Sequence, residues 1–263
     1  MHIITPSYKI LSPFALTEEN KEAIYRQIEM AGRTCYKSED YTQPGSAAKF
    51  VSAMVKSGHE AMLEHAFMKI RFTVDRGVSH ELVRHREASF AQESTRYCNY
   101  SKDKFGNELT FIDPYYGLML DPSNHADIKD FLSSWNHVCK EAERSYLTML
   151  DNGVSPQMAR SVLPNSLKTD LVITANMREW RHILSLRAAE TTGPVHPQML
   201  EVMVPLLVCL ADYMPELFGD ILEKGKKNWS ENVWNYLSQF PDFYESGHAL
   251  CEQATVSSSS AGN

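Results

Sequence analysis

The sequence has no run of 18 consecutive apolar residues, which is the length of apolar chain that a transmembrane helix requires. Its first residues also lack the basic region and the long apolar stretch of a secretory signal peptide. The net charge of −7 disfavours nonspecific binding to nucleic acid or to an anionic membrane. We therefore expect a cytoplasmic protein that has neither a nucleic acid nor a membrane as its partner.

Cysteine is scarce and has no motif. The five cysteines are widely scattered and include no CxxC pair, which favours a reduced compartment. No local pattern of histidine and cysteine favours a thiol nucleophile, so we expect the cysteines to pack in the core. The sequence also contains neither GxGxxG nor GxxxxGK[ST], which leaves a Rossmann or P-loop nucleotide site unsupported. The cysteines are Cys35, Cys98, Cys139, Cys209 and Cys251.

The chain is long enough to bury a large core without a disulfide or a metal. Its 263 residues are 43% hydrophobic and 22% charged, which is ordinary for a globular protein. Helical and strand patterns alternate without a repeat or a linker. We predict one α/β domain over residues 1–250, followed by a disordered Ser-rich tail over residues 251–263.

Hydrophobic periodicity predicts the elements. Thr17 is a candidate N-cap for a first helix, and a second helix is predicted over 46–57 with Gly58 as its C-cap. The period then changes to two over 68–75, where apolar and polar residues alternate as in a half-buried strand. Further helices are predicted over 124–151, 180–189 and 197–214, whereas 171–174 fits either a buried strand or a helix core.

A cluster of basic residues stands out in this acidic chain. Residues 84–97, RHREASFAQESTRY, combine Arg84, His85, Arg86 and Arg96 with hydroxyl and amide side chains. Guanidinium groups match phosphate bidentately, and serine hydroxyls add neutral donors. The cluster indicates an anion site, and the alternative is a solvated basic turn paired with Glu87 and Glu93.

A second cationic set lies downstream and contains Arg160, Asn176, Arg178, His182 and Arg187. Arg178 and His182 are four residues apart and share one face of a helix. Arg187 directly follows an apolar run, where an arginine usually has a partner. The alternative interpretation is a set of surface helix charges.

Metal chemistry is the first rival interpretation. The segment His80-Glu81-Leu-Val-Arg-His85 resembles HExxH, but its second histidine falls at i+5, off the face that the metal needs. A metal-dependent hydrolase would draw on His59, His65, His80 and His85. A second rival is a non-catalytic nucleotide-binding module whose arginines only hold an anion. We predict no metal site.

The arrangement Arg84-His85-Arg86, seven residues and Ser94 resembles the signature of the flavin-dependent thymidylate synthases. Four other blocks are similar to that family, in order and at compatible spacing, and the resemblance spans about residues 20–215. They are AGRTCY at 31–36, GHE at 58–60 with Glu64-His65, ARSVLP at 159–164, and NMR at 176–178 with Leu186-Arg187.

The resemblance implies a homotetramer whose subunits have a central antiparallel sheet flanked by helices, with active sites shared between subunits. It implies a methyltransferase that makes dTMP from dUMP, with FAD as cofactor, NADPH as reductant and methylenetetrahydrofolate as one-carbon donor, releasing tetrahydrofolate. No cysteine of the enzyme attacks the uracil in this family's productive route.

The resemblance also assigns site residues. Arg187 and Ser94 are placed at the reacting centre, where Arg187 lies against the uracil and Ser94 binds and is not a nucleophile. The residues expected to bind FAD are His59, Glu64, Arg84, His85, Arg86, Asn176, Arg178 and His182. Those expected to bind dUMP are Glu81, Gln92, Glu93, Ser94, Thr95, Arg96, Arg160 and Arg187.

Three positions depart from the family pattern. Glu81 stands where many members have Gln, which puts a carboxylate near the nucleotide and would repel its phosphate unless Glu81 is protonated or paired with an arginine. His182 replaces an Asn of some members, and Cys35 replaces a Ser of others.

Overall fold

The computed structural model describes residues 1–13, 16–102, 106–124 and 126–239. The Ser-rich segment 251–263 lies outside the described residues, and the single domain over 1–250 stays a prediction. The strands are β1 (His2–Ile4), β2 (Ser7–Ser12), β3 (Phe67–Asp75), β4 (Ala88–Gln92), β5 (Thr110–Ile112) and β6 (Lys168–Asn176).

The helices surround these strands. They are α1 (Glu18–Tyr36), α2 (Ser46–Ser57), α3 (Arg76–Leu82), α4 (Tyr115–Leu120), α5 (Ile128–Asp151), α6 (Pro156–Ala159), α7 (Met177–Arg187), α8 (Pro197–Tyr213), α9 (Pro215–Asn228) and α10 (Glu231–Ser238). A 3₁₀ turn over Glu60–His65 leads into β3. Within the described ranges, no helix is long and apolar enough to cross a membrane.

The central sheet is antiparallel throughout, with the strand order β2-β3-β6-β4. This confirms the predicted sheet and resolves 171–174 as part of a strand. In β3, Met68, Ile70, Phe72 and Val74 are buried as their alternation predicted. Asp75 is also buried, contrary to its predicted place on the polar face, because its carboxylate caps α3 by accepting the Val78 N–H at 2.7 Å.

Side-chain caps set where the helices begin. Thr17 caps α1 as predicted, and Gly58 ends α2 with a φ of 73°. Helix α5 begins four residues later than predicted because Asp127 is its N-cap, accepting the Lys129 N–H at 2.7 Å. Helix α7 begins three residues earlier than predicted because Asn176 caps it.

Two hydrophobic cores hold the elements in place. The larger lies between one face of the sheet and helices α1, α2, α7, α8, α9 and α10. The smaller lies under α5 and includes Phe111, Tyr146 and Leu167. The larger core fixes the junction of β6 and α7, and most of the second cationic set lies on or beside that junction.

Candidate active site

The turn from β6 into α7 is fixed by Asn176. Its Oδ1 accepts the Glu179 N–H at 2.8 Å, which satisfies a free donor of the first helical turn. Behind the turn, Trp180 is fully buried and donates from Nε1 to the Met68 carbonyl. The turn therefore leaves Arg178 and His182 on the outer face of α7.

A cavity of about 620 Å³ lies against this outer face. Four of the residues predicted to bind FAD line it: Glu64, Asn176, Arg178 and His182. Arg178 donates from Nη1 to Glu64 Oε1 at 2.5 Å, and both side chains are half-exposed. The predicted common face of Arg178 and His182 is thus a wall of the cavity.

Arg187 lies at the last turn of α7 and is held by two side chains. Its Nη1 donates to Glu81 Oε2 at 2.9 Å, and its Nε donates to His85 Nε2 at 3.2 Å. In the described part of the chain, Nη2 has no acceptor within hydrogen-bonding distance, and the side chain is 25% exposed. The carboxylate of Glu81 is therefore paired with an arginine, which answers the question raised by its departure from the family pattern.

His85 is the buried member of the basic motif. It is 6% exposed, with Nε2 on Arg187 and Nδ1 3.4 Å from Glu179 Oε1. Burial, together with the neighbouring Arg187 and His182, lowers the pKa of His85 to about 4. The imidazole is therefore neutral at pH 7.

Arg84, Arg86 and Arg96 are exposed instead. Within the described ranges, none of the three has a carboxylate oxygen within 4.0 Å, and Arg96 lies over the Tyr97 ring at 5.4 Å. The three arginines are therefore solvated, as the alternative of a basic turn expects, but among the described residues they do not pair with Glu87 or Glu93. These guanidinium groups are available to an anion.

Glu93 is engaged within the fold. It accepts hydrogen bonds from the Tyr100 hydroxyl at 2.9 Å, from Lys168 Nζ at 2.9 Å and from the Asp170 N–H at 3.3 Å. Gln92 likewise donates to the hydroxyls of Ser79 and Thr169. Both residues anchor the end of β4, so their predicted contacts to dUMP would require these bonds to be shared or exchanged.

The end of β4 gathers the other half of the predicted nucleotide set. Arg160 donates from Nη1 to the hydroxyl of buried Thr95 at 3.3 Å. The Ser94 hydroxyl accepts the Arg96 N–H at 3.3 Å and so shapes the same turn. Ser94, Thr95, Arg96 and Arg160 thus form one group, which we call the turn group.

Glu81 and Arg187 form a second group, joined by the contact from Arg187 Nη1 to Glu81 Oε2. Glu81 belongs to α3, and Ser79 of the same helix accepts a hydrogen bond from Gln92, at the end of β4, at 2.9 Å. Among the described residues, no hydrogen bond or ion pair joins Glu81 or Arg187 directly to the turn group. The residues predicted to bind dUMP thus form two groups, with Gln92 and α3 between them.

The histidines of the rival metal site are not brought together. His59, His65 and His80 are exposed, and only His85 belongs to a group of three possible ligands, with Glu179 and His182, whose ligand atoms lie within 4.8 Å of one another. His59, predicted to bind FAD, precedes the 3₁₀ turn and is solvent-exposed. Three of the four histidines that a metal-dependent hydrolase would use are therefore absent from this group of possible ligands.

Sequence reasoning missed two charged residues of α7. Arg181 is 6% exposed, donates to the carboxylates of Glu60 and Asp220 and to the Leu217 carbonyl, and ties α7 to α9. Glu179, 9% exposed, faces His85. Their one sequence signal is that they flank Trp180, which is fully buried.

The expectation that the cysteines pack in the core is confirmed for Cys139 and is wrong for Cys35. Cys35 is exposed on α1, Cys98 is half-buried and Cys139 is buried. Burial raises the pKa of the Cys139 thiol to about 11, so it is protonated at pH 7.

Solved structures of a related fold bind pyrimidine nucleotides. The UMP/dUMP methylase PolB from Streptomyces cacaoi, bound with 5-Br dUMP, has a TM-score of 0.65 and 21% identity, covering 86% of this chain and 97% of that chain. The same methylase bound with 5-Br UMP has a TM-score of 0.64. At this identity the likeness concerns the fold.

Sequence relatives carry the comparison further. The flavin-dependent thymidylate synthase of Corynebacterium efficiens is 33% identical over 198 residues, covering 73% of this chain and 78% of its own length. That of Corynebacterium glutamicum is 33% identical over 211 residues, covering 77% and 80%. Residues 17–216 match the family described as thymidylate synthase complementing protein, and this span includes the basic motif, Arg187 and the cavity residues Glu64, Asn176, Arg178 and His182. The chain therefore belongs to the thymidylate synthase complementing protein family.

Proposed function

We propose that this chain is a flavin-dependent thymidylate synthase, which reductively methylates dUMP to dTMP. Methylenetetrahydrofolate supplies the carbon, NADPH is the reductant, FAD is the redox cofactor, and tetrahydrofolate is released. The single observation that carries the proposal is Arg187: a guanidinium held at two nitrogens, with Nη2 left without an acceptor among the described residues, in a chain of this family.

The residues at the cavity suit FAD. Its diphosphate is an anion, and Arg178 supplies a guanidinium donor in the cavity that Asn176 and His182 also line. Arg84 and Arg86 are exposed on the segment that leads to Glu87, which also lines the cavity. The acidic residues of the cavity wall repel such an anion only in part, because the negative charges of Glu60 and Glu64 are paired with arginines. FAD, when bound, supplies the hydride that the methylation consumes.

The nucleotide is assigned to the turn group and to Arg187. Ser94, Thr95, Arg96 and Arg160 offer hydroxyl and guanidinium donors that match a phosphate monoester. Arg187 is assigned to the uracil, where it stabilises negative charge that develops on the ring as C5 becomes nucleophilic. Ser94 binds, and no cysteine of the chain forms a covalent bond to the nucleotide.

The enzyme is a homotetramer with active sites shared between subunits, as the family resemblance implies. In this assembly one nucleotide contacts the turn group of one subunit and Arg187 of another. We place the enzyme in the cytoplasm, where dUMP, folate and NADPH are at hand.

A set of assays, each of which omits one component of the reaction, tests the proposal. Purified protein should have the absorption spectrum of a flavin, and dTMP should appear only when dUMP, methylenetetrahydrofolate and NADPH are all present. A colourless protein that binds dUMP without converting it would instead support the nucleotide-binding module, and dTMP formation that survives removal of FAD would overturn the role of the flavin.

A further inference from the structure

Buried Glu179 has no place in the assignments above, although it lies beside the residues that hold Arg187. It belongs to the first turn of α7, whereas Arg187 belongs to the last, about 12 Å further along the helix axis at 1.5 Å per residue. The His85 side chain lies between them, with Nδ1 toward Glu179 Oε1 at 3.4 Å and Nε2 toward Arg187 Nε at 3.2 Å.

The partners of His85 determine which of its nitrogens carries the proton. The Nε of Arg187 can only donate, so His85 Nε2 must present its lone pair. The proton of the neutral ring is then on Nδ1, the nitrogen that faces the Glu179 carboxylate. A carboxylate at that position stabilises this tautomer over the other one.

We propose that Glu179 is a positioning residue that holds the Arg187 guanidinium in place through the Nδ1–H tautomer of His85. Glu81 fixes the other side of the guanidinium from α3, at 2.9 Å. Two flanking contacts thus restrict the rotation of Arg187 and leave Nη2 for the ligand. The effect of Glu179 on dUMP binding and catalysis rests on the proposed function. The Nδ1–H tautomer of His85 does not depend on that function.

The same three residues, His85, Glu179 and His182, also meet the spacing of a metal site. The hydrogen bond from Arg187 disfavours that interpretation. A metal at Nδ1 would move the ring proton to Nε2, against the N–H of Arg187, and would place a second cation beside the guanidinium. The two interpretations therefore predict opposite tautomers.

The first measurement is solid-state ¹⁵N NMR of holoenzyme labelled at histidine, with the His85 signals assigned by their loss in His85→Asn. We expect His85 to carry its proton at Nδ1 in the wild type, and Glu179→Met to raise the share of the Nε2–H form. A wild-type ring protonated at Nε2, or one that loses the Nδ1 proton when Zn²⁺ is added, would overturn the proposal.

The second measurement is a double-mutant cycle on dUMP affinity, measured by calorimetry on flavin-loaded protein. In protein loaded to full FAD occupancy, Glu179→Met should raise the Kd for dUMP by about tenfold, whereas Glu179→Gln keeps an acceptor oxygen and should recover most of the affinity. In the Arg187→Ala background, Glu179→Met should have no further effect.

The exposed Glu141→Gln on α5 is the matched control and should bind dUMP as the wild type does. An equal loss on Glu179→Met with and without Arg187, or no loss at all, would overturn the proposal. Failure of the wild-type holoenzyme to form dTMP would contradict the proposed function alone, since the tautomer and its dependence on Glu179 are measured without turnover.

Discussion

At the residue scale, the arginines are of two kinds: one is oriented by hydrogen bonds to other side chains, and the others are exposed to solvent. Arg187 is oriented by Glu81 and His85, whereas Arg84, Arg86 and Arg96 reach solvent with no carboxylate within 4.0 Å in the described ranges. An oriented guanidinium can stabilise negative charge that develops at one position of a ring, while solvent-exposed guanidinium groups can bind a phosphate that arrives from solution.

Arg187→Ala should retain FAD and the oxidation of NADPH by oxygen but lose most dUMP affinity and dTMP formation. Loss of one donor at the transition state typically slows a reaction by about a hundredfold or more. Arg187→Lys should recover little, because a point charge cannot keep both the Glu81 and the His85 contacts. Flavin content, dUMP affinity and dTMP yield are the measurements, and a variant that loses its flavin but binds dUMP normally would contradict the assignment.

Glu201 is a second buried carboxylate, in α8 and away from the cavity. Its Oε2 has no hydrogen-bond partner among the described residues, and burial, with Asp113 and Asp75 nearby, raises its pKa to about 8. Between its ordinary pKa of 4.5 and about 8, the folded chain holds a proton that the unfolded chain releases. The stability that this group contributes is therefore lost as the pH rises through that window.

Glu201→Gln should remove this pH dependence. Relative to the wild type, it should gain about 3 kcal/mol more at pH 8 than at pH 5, measured by urea unfolding of the holoenzyme. An equal effect of Glu201→Gln at both pH values would show that the carboxylate is ionised in the folded state throughout.

At the scale of elements, α7 joins the active site to the larger core. Its outer face carries Arg178 and His182, its inner face carries Trp180 and Ile183, and Arg187 lies at its last turn. Arg181 fixes the helix against α9 and the 3₁₀ turn by pairing with Asp220 at 2.7 Å and with Glu60 at 2.9 Å. The cavity wall is thus held by ion pairs from buried Arg181 to two partly exposed carboxylates.

Arg181→Met should destabilise the protein by about 3 kcal/mol, because it leaves two carboxylates and the Leu217 carbonyl without their shared donor. The comparison is Arg26→Met, which removes an exposed i,i+4 pair with Glu22 and should cost less than about 0.5 kcal/mol. Unfolding by urea measures both. Equal costs would mean that Arg181 contributes no more than a surface charge.

The sequence predicted most elements because their signals are local. Alternation predicted β3, and the N-cap of Thr17 predicted the start of α1. Contacts between residues far apart in the sequence have no such signal. The sequence predicted that Glu93 binds dUMP, but it could not show that the Glu93 carboxylate already accepts hydrogen bonds from Lys168 and Tyr100. Glu179 and Arg181 were missed for the same reason, since their partners lie about 95 and 40 or more positions away.

At the scale of the whole molecule, each nucleotide site of the proposed tetramer takes the turn group from one subunit and Arg187 from another. Co-assembly of Arg187→Ala with Arg96→Ala tests this. Each variant alone should be nearly inactive, but mixed tetramers should recover about a quarter of the wild-type activity, because random pairing leaves that share of sites with both residues intact. No recovery in tetramers shown to be mixed would place both residues in a site within one subunit.

The most direct test of the central claim is a single turnover without oxygen. The flavin-loaded protein is reduced with NADPH, freed of excess reductant, and mixed with dUMP and methylenetetrahydrofolate. We predict that flavin reoxidation accompanies dTMP and tetrahydrofolate in amounts equal to the reduced flavin, and that it does not occur without dUMP. Flavin that reoxidises without dTMP, or dTMP that forms while the flavin stays reduced, would contradict the claim.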